Sequence, residues 1–240
     1  SVRGIATILD GVPLNTLAFG TAAYDKPNLD LGILQRIETI RGPGSAIYGS
    51  DAFHGVVSLK SFSSHQNIAS GELELGHMGY SKTNLRVSKG FEHFRIHSAI
   101  AYSGQRDENR PYDYTDNDTQ NILSATRDHQ YDSQSLVVKI DDGKAEHSNF
   151  ELGYYFNKWH AQEFPGLGTH FYAGDSLAAD RDFTGNQSQF HMSKLSYRWF
   201  FANQLSLQAS AFYWQNNQLL IYDRIRPDDH ELFQGVQEHR

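Results

Sequence analysis

Residues 71–76 read Gly-Glu-Leu-Glu-Leu-Gly, with Leu73 and Leu75 alternating with Glu72 and Glu74. Successive side chains of a strand point to opposite faces, so this period puts the leucines on one face and the glutamates on the other. The same grammar continues outward along the chain. In NLRVSKG (84–90), Leu85 and Val87 alternate with Arg86 and Ser88. In HFRIHSAIAYS (93–103), Phe94, Ile96, Ile100 and Tyr102 share one face, and Arg95, His97, Ala99 and Ala101 the other. SLVVKIDD (135–142) groups Leu136, Val138 and Ile140. NFELGYYFN (149–157) groups Phe150, Leu152, Tyr154 and Phe156 opposite Glu151, Gly153 and Asn157. KLSYRWFF (194–201) aligns Leu195, Tyr197, Trp199 and Phe201, and QLSLQASAFYW (204–214) aligns Leu205, Leu207, Ala209, Ala211 and Tyr213. Runs of this kind predict long antiparallel strands. Ordinary globular strands peak at about 5–6 residues, whereas tilted membrane strands need about 9–11.

The connections between these runs alternate in length. GFEH (90–93), DDGKAEH (141–147) and ANQ (202–204) are short. Residues 104–133, 159–188 and 217–233 are long and polar, and 76–81 is a shorter member of that set. Short turns on one rim and long loops on the other are the layout of a membrane β-barrel. The aromatics agree: Phe91, Phe94, Trp199, Phe200 and Phe201 crowd the short turns, while Tyr154, Phe156, Trp159, Tyr213 and Trp214 lie toward the long loops. Two interfacial girdles would take this form. The competing reading is a soluble β-sandwich whose aromatics fill a core between two sheets.

Composition narrows the classes. The chain has 240 residues, with 15 Phe, 13 Tyr and 3 Trp, too much burial-prone surface for a disordered segment. No apolar run approaches the about 20 residues of a spanning helix. The mean hydropathy of −0.57 therefore excludes helical spans and leaves strands open. Cys is absent, which removes disulfides, zinc-thiolate sites and thiol chemistry. A net charge of −7 supplies no bulk basic surface for nucleic acid. The chain opens on Ser1 in strand-like sequence and closes on ELFQGVQEHR, which reads as an internal segment of a longer protein.

Residues 1–62 follow a different pattern. Glycines recur beside short β-branched runs, as in RGI, ILDG, RGPG, YGSD and FHGVV. Strands are expected over Ile5–Leu9, Arg36–Ile40 and Gly55–Ser61, with a helical turn at Ser45–Tyr48 stopped by Gly49, as a small α+β unit. Gly42, Gly44 and Gly49 also sit where a phosphate-binding turn would. No strand-helix-strand unit of the required size surrounds them, so dinucleotide binding is not supported.

This stretch resembles the C-terminal part of the plug domain of TonB-dependent outer-membrane receptors. The resemblance rests on ILDGVPLN (8–15) and on LQRIETIRGPGSAIYGSDAFHGVVSLKS (34–61), which carry Asp10, Gly11, Leu34, Arg36, Ile37, Glu38, Ile40, Arg41, Gly42, Pro43, Tyr48, Gly49, Ala52, Gly55 and Val56. His54 stands where the family often has Gly. The resemblance implies a mainly β protein: part of a small α+β plug over 1–64, then the opening of a transmembrane antiparallel barrel over 65–240. Seven or eight strands would be present of a barrel of about 22. Short turns would face the periplasm and long loops the exterior of a Gram-negative outer membrane.

The same resemblance implies a function. A receptor of this kind captures a scarce nutrient, of the ferric siderophore, haem or cobalamin class, and imports it with energy from the inner-membrane TonB–ExbB–ExbD complex. It is no enzyme and holds no resident cofactor, and its other partner is outer-membrane lipid. A non-transporting surface receptor or adhesin on the same barrel is the alternative. In the family, plug arginines pair with wall acids, so Arg3 and Arg41 are expected opposite Glu72, Glu74 or Glu151; the same charges would also be stable as solvated groups in a wet lumen. The acidic loop containing Asp107, Glu108, Asp113, Asp116 and Asp118 has oxygen ligands of the type calcium takes, although the spacing is not that of an EF-hand and a solvated loop is the plainer reading. His160 and His170 are weak candidates for binding haem. Ser45 and Ser50 lack the context of a nucleophile.

Overall fold

In the computed structural model of the protein, the structure describes residues 4–14, 29–44, 52–115, 122–142, 148–162, 185–201, 205–225 and 232–239. The expected helical turn at Ser45–Tyr48, together with Gly49, lies outside them.

A small sheet comes first. It contains β1 (Ile5–Leu9), β2 (Val12–Pro13), β3 (Leu34–Arg41) and β4 (Gly55–Ser61), in the order β2-β1-β4-β3. β1 runs parallel to β4, and the other pairings are antiparallel. Asp10 and Gly11 join β1 to β2 with φ of 46° and 86°, the left-handed pair that a two-residue hairpin turn demands. A short 3-10 turn, Leu31–Ile33, precedes β3 and is capped by the Asp30 carboxylate, which accepts from the Gly32 N–H at 2.7 Å.

Eight strands then follow as one meander: β5 (Ile68–Leu75), β6 (Ser81–Gly90), β7 (Arg95–Thr115), β8 (Ile122–Asp141), β9 (Ser148–Gln162), β10 (Gly185–Phe200), β11 (Ser206–Ile225) and β12 (Leu232–His239). Each is antiparallel to its sequence neighbours, in the order β12-β11-β10-β9-β8-β7-β6-β5. The register puts Leu85 beside Ile100, Ile100 beside Leu136, Leu136 beside Phe156 and Leu152 beside Leu195. All the apolar sets read from the sequence therefore share one face. That face is open: Leu73, Leu75 and Leu207 are 68%, 73% and 57% exposed.

The opposite face carries Asn84, Ser88, His97, Ser133, Ser135, Lys139, Asn157, Ser188, Lys194 and Ser196, all buried. The small sheet sits against it. Leu9, Val12, Leu14, Ile33, Leu34 and Phe62 form one core with Ala99, Ala101, Val137, Tyr155, Phe190 and Met192 of the wall. A sandwich would bury the apolar face of the meander; here that face points outward and the polar face inward. The architecture is an arc of barrel wall with a small domain docked inside it.

The wall departs from expectation in strand length. Residues 104–133 were expected as a long loop, yet β7 and β8 carry the ladder to Thr115 and back from Ile122. β9 likewise reaches Gln162, and β11 reaches Ile225. The apolar period ends above Tyr102, Leu136 and Phe156 because the outward face becomes polar there (Arg106, Gln134, Lys158). Backbone pairing needs no such period and continues. At about 3.4 Å per residue, the 21 residues of β7 extend about 70 Å.

Candidate functional site: the junction of small domain and wall

The inward wall face and the small sheet meet through two groups of polar contacts. The first surrounds Asp10. Its left-handed backbone at the β1–β2 tip aims the carboxylate past β4 toward the wall. Oδ1 accepts from the Ser61 N–H at 3.0 Å, and Oδ2 accepts from the Tyr155 hydroxyl at 2.6 Å and from the Ser61 hydroxyl. Lys139 Nζ lies 3.8 Å from Oδ2 and donates to the Ser61 carbonyl at 3.4 Å. The side chains of Lys139 and Asp10 are 5% and 9% exposed. Burial pushes the Asp10 carboxyl up, but the Lys139 ammonium and the hydrogen bonds from Ser61 and Tyr155 outweigh it and hold the group below its ordinary value.

The second group fastens the turn that precedes β3 and the linker that runs from β4 into β5. Arg86 Nε donates to the Gly32 carbonyl at 2.9 Å and Nη2 to the Leu34 carbonyl at 3.2 Å, while the guanidinium lies 5.8 Å from the Phe62 ring centre. The Ser88 hydroxyl donates to the Ser64 carbonyl at 2.9 Å. The Ser64 N–H donates to His97 Nδ1 at 3.3 Å, so the ring proton sits on Nε2 and is given to Asp141 at 2.7 Å. Asn67 Oδ1 accepts from Gly90 N–H at 2.8 Å and from Arg95 at 3.3 Å. Asp30 N–H donates to the Ser135 hydroxyl at 3.1 Å. Both groups touch a cavity of about 640 Å³, whose lining includes Asp10, Lys60, Ser64, Lys139, Glu151 and Lys194.

The residues singled out in the sequence distribute as follows. Glu72, Glu74 and Glu151 face inward, as their period requires. Glu151 pairs with Lys194 at 2.8 Å, and Glu72 accepts from Asn84 at 2.9 Å. Lys194 is the diagonal cross-strand neighbour of Glu151, so this pair forms within the wall with no help from the docked domain. Arg41 lies exposed at the end of β3, opposite Gly55, and among the described residues it has no ion-pair partner. Arg3, Tyr48, Asp116, Asp118 and His170 lie outside the described residues. Among the described residues, the ionic contact between domain and wall is that of Asp10 with Lys139, in which the small domain supplies the acid and the wall the base.

Asp107 and Asp113 fall on the strand β7 itself. His160 lies on the outward face, where its Nδ1 is 3.5 Å from Asp132. The signature residues Arg36 and Glu38 pair with each other at 2.8 Å on β3, and Gly42 adopts a left-handed φ of 108° just after Arg41. Sequence reasoning read Asp10 only as a turn residue and did not weigh Lys139. The overlooked signal was a lysine in the inward row Ser133, Ser135, Val137, Lys139 and Asp141 of β8.

Comparisons with known proteins agree with this geometry. Residues 1–56 match the TonB-dependent Receptor Plug Domain family. The vitamin B12 transporter BtuB of Vibrio vulnificus is 30% identical over 132 residues, 55% of this chain and 20% of that protein. The siderophore receptor PiuA of Acinetobacter baumannii superposes over 97% of this chain and 33% of its own, with TM-score 0.70 and 14% identity. The pyoverdine outer membrane receptor FpvA of Pseudomonas aeruginosa does so over 98% and 35%, with TM-score 0.70 and 14% identity. The chain therefore spans about a fifth of the curated relative's length and about a third of each solved structure. At these identities the solved structures establish the fold alone.

Proposed function

We propose that this chain, which belongs to the TonB-dependent receptors, is the plug end and the opening wall of an outer-membrane receptor that imports a scarce nutrient. The observation that carries the reading is the inverted polarity of the wall, apolar outside and polar inside with the plug docked on the polar face. Lipid would cover the outer face, where Leu85, Ile100, Leu152, Leu195 and Leu207 are exposed side by side. The stacked Phe91 and Phe94 rings, with centres 4.7 Å apart, and the Tyr197–Trp199 pair at 4.3 Å would mark the headgroup level on the short-turn rim. The plug spans residues 1–64 and the wall begins at 65 in this reading.

The nutrient is of the ferric siderophore or cobalamin class, on the support of relatives named for vitamin B12 and for siderophores. Haem belongs to the same range of targets. Import draws on TonB and, through it, on ExbB and ExbD. The test is uptake of labelled ferric siderophore, haem and cobalamin by cells whose own receptors are deleted and which carry the intact receptor, with and without TonB. TonB-dependent uptake of one of them is expected, with the protein in the outer-membrane fraction and showing heat-modifiable gel mobility. Recovery in the soluble fraction, or uptake of none of the three, overturns the reading.

A further inference from the structure

The two groups of contacts at the plug–wall junction are not equivalent. The linker contacts are those of Ser64, whose N–H and carbonyl meet His97 and Ser88, and of Asn67, whose Oδ1 meets Gly90 and Arg95. They hold a segment that already continues covalently into β5, so breaking them gains little freedom. The contact of the β1–β2 tip is different. There, between Leu9 and Val12 of the shared core, the Asp10 carboxylate makes the polar contact with the wall, 145 residues from its partner Tyr155. The cavity touches both fastenings: its lining includes Asp10, Ser61 and Lys139 as well as Ser63 and Ser64.

We propose that Asp10 is a positioning residue that acts as the releasable latch of the plug, with the linker as its fixed hinge, so that withdrawing the β1–β2 tip from Tyr155 and Lys139 widens the cavity along the wall. This rests on the transport reading above. A buried acid held by a lysine, a phenol and two serine donors sets one geometry sharply, and removing one partner leaves a buried charge uncompensated. Such a contact holds the seat at rest and, once broken, does not re-form loosely. Glu151 and Lys194 line the same cavity as an already satisfied pair, so withdrawing Asp10 leaves the Lys139 charge on that wall without its counter-ion.

Asp10→Asn separates the latch from the turn, because Asn keeps the left-handed backbone that the hairpin needs while losing the charge. Tyr155→Phe leaves the ring in the core and removes only the hydroxyl. In planar bilayers, the intact receptor carrying either substitution is expected to show a several-fold rise in conducting events over the wild type. The double variant is expected to add less than the two effects combined, because both break one contact. Ser88→Ala, which removes the donor to the Ser64 carbonyl of the linker, is expected to reduce the yield of heat-modifiable receptor without that rise. Unchanged conductance for both Asp10→Asn and Tyr155→Phe overturns the latch, and a rise with Ser88→Ala equal to theirs overturns the division into hinge and latch. Nutrient uptake by the wild type, measured in parallel, tests the transport reading separately: a receptor that imports nothing yet shows the rise keeps the latch and loses that reading.

Discussion

At the residue scale, the side chain with the most consequences is the Asp10 carboxylate. Its pKa in the folded protein lies below the ordinary value, so its contribution to seating the plug is fully present above about pH 4 and is lost as pH falls through the depressed value. The expected outcome is acid-induced conductance in the intact receptor below the ordinary carboxylate range. Asp10→Asn should remove that acid dependence, and Glu151→Gln, the other carboxylate on this cavity, should leave it in place. The neighbouring Gly11 tests the turn alone. Its φ is 86° and nothing lies within 4 Å of a Cβ placed there, so Gly11→Ala meets no clash and costs only backbone strain. That cost is about 1–2 kcal/mol, read as a lowered thermal transition of the heat-modifiable form.

At the scale of elements, the outward rows of β5–β11 are interchangeable in kind but not in depth. Leu195 lies mid-belt, beside Leu152 of β9 and Ala211 of β11. Leu195→Arg is expected to cost about 2–4 kcal/mol in folding into lipid vesicles, as for a cation near the bilayer midplane. An effect within a few tenths of a kcal/mol would place that face in water. These rows were legible in the sequence because a sheet with one apolar and one polar face imposes a period of two. β1 and β4 were legible because Gly and Asp-Gly bound them, and both fall on the expected residues Ile5–Leu9 and Gly55–Ser61. The upper part of β7 was not legible, since residues 105–110 are polar at both parities and only backbone pairing records the strand, and in β11 the consecutive apolar residues 219–222 show no period of two. β2, two residues long, has no pattern of its own. The junction was legible in part: inward Glu72 and Glu151 could be placed by parity, but which charge meets which is decided by strand register and by the docking of two distant segments.

At the scale of the whole molecule, the wall is an open sheet in this structure, with β5 and β12 as its edges. Unpaired backbone groups at such edges cannot face hydrocarbon. The isolated 240 residues are therefore expected to give no stable ion conductance in planar bilayers, and a steady unitary current from them would contradict the arc described here. The outward apolar face and the inward charged one also explain how a chain with a mean hydropathy of −0.57 can belong to a lipid-facing wall. The polar half of each strand lines the lumen and lowers the average. The meander carries a consequence for the order of assembly as well. Every wall strand pairs with its neighbour in sequence, so the hairpins can form from contacts made close to hand. The plug's seat, in contrast, closes over separations of 105 residues at Asp30–Ser135 and 145 at Asp10–Tyr155. Chain closure over such distances is slow compared with hairpin formation. The domain that is made first thus waits for the ninth strand before it can be fastened, and substitutions at Asp10 should quicken its release far more than they delay its arrival.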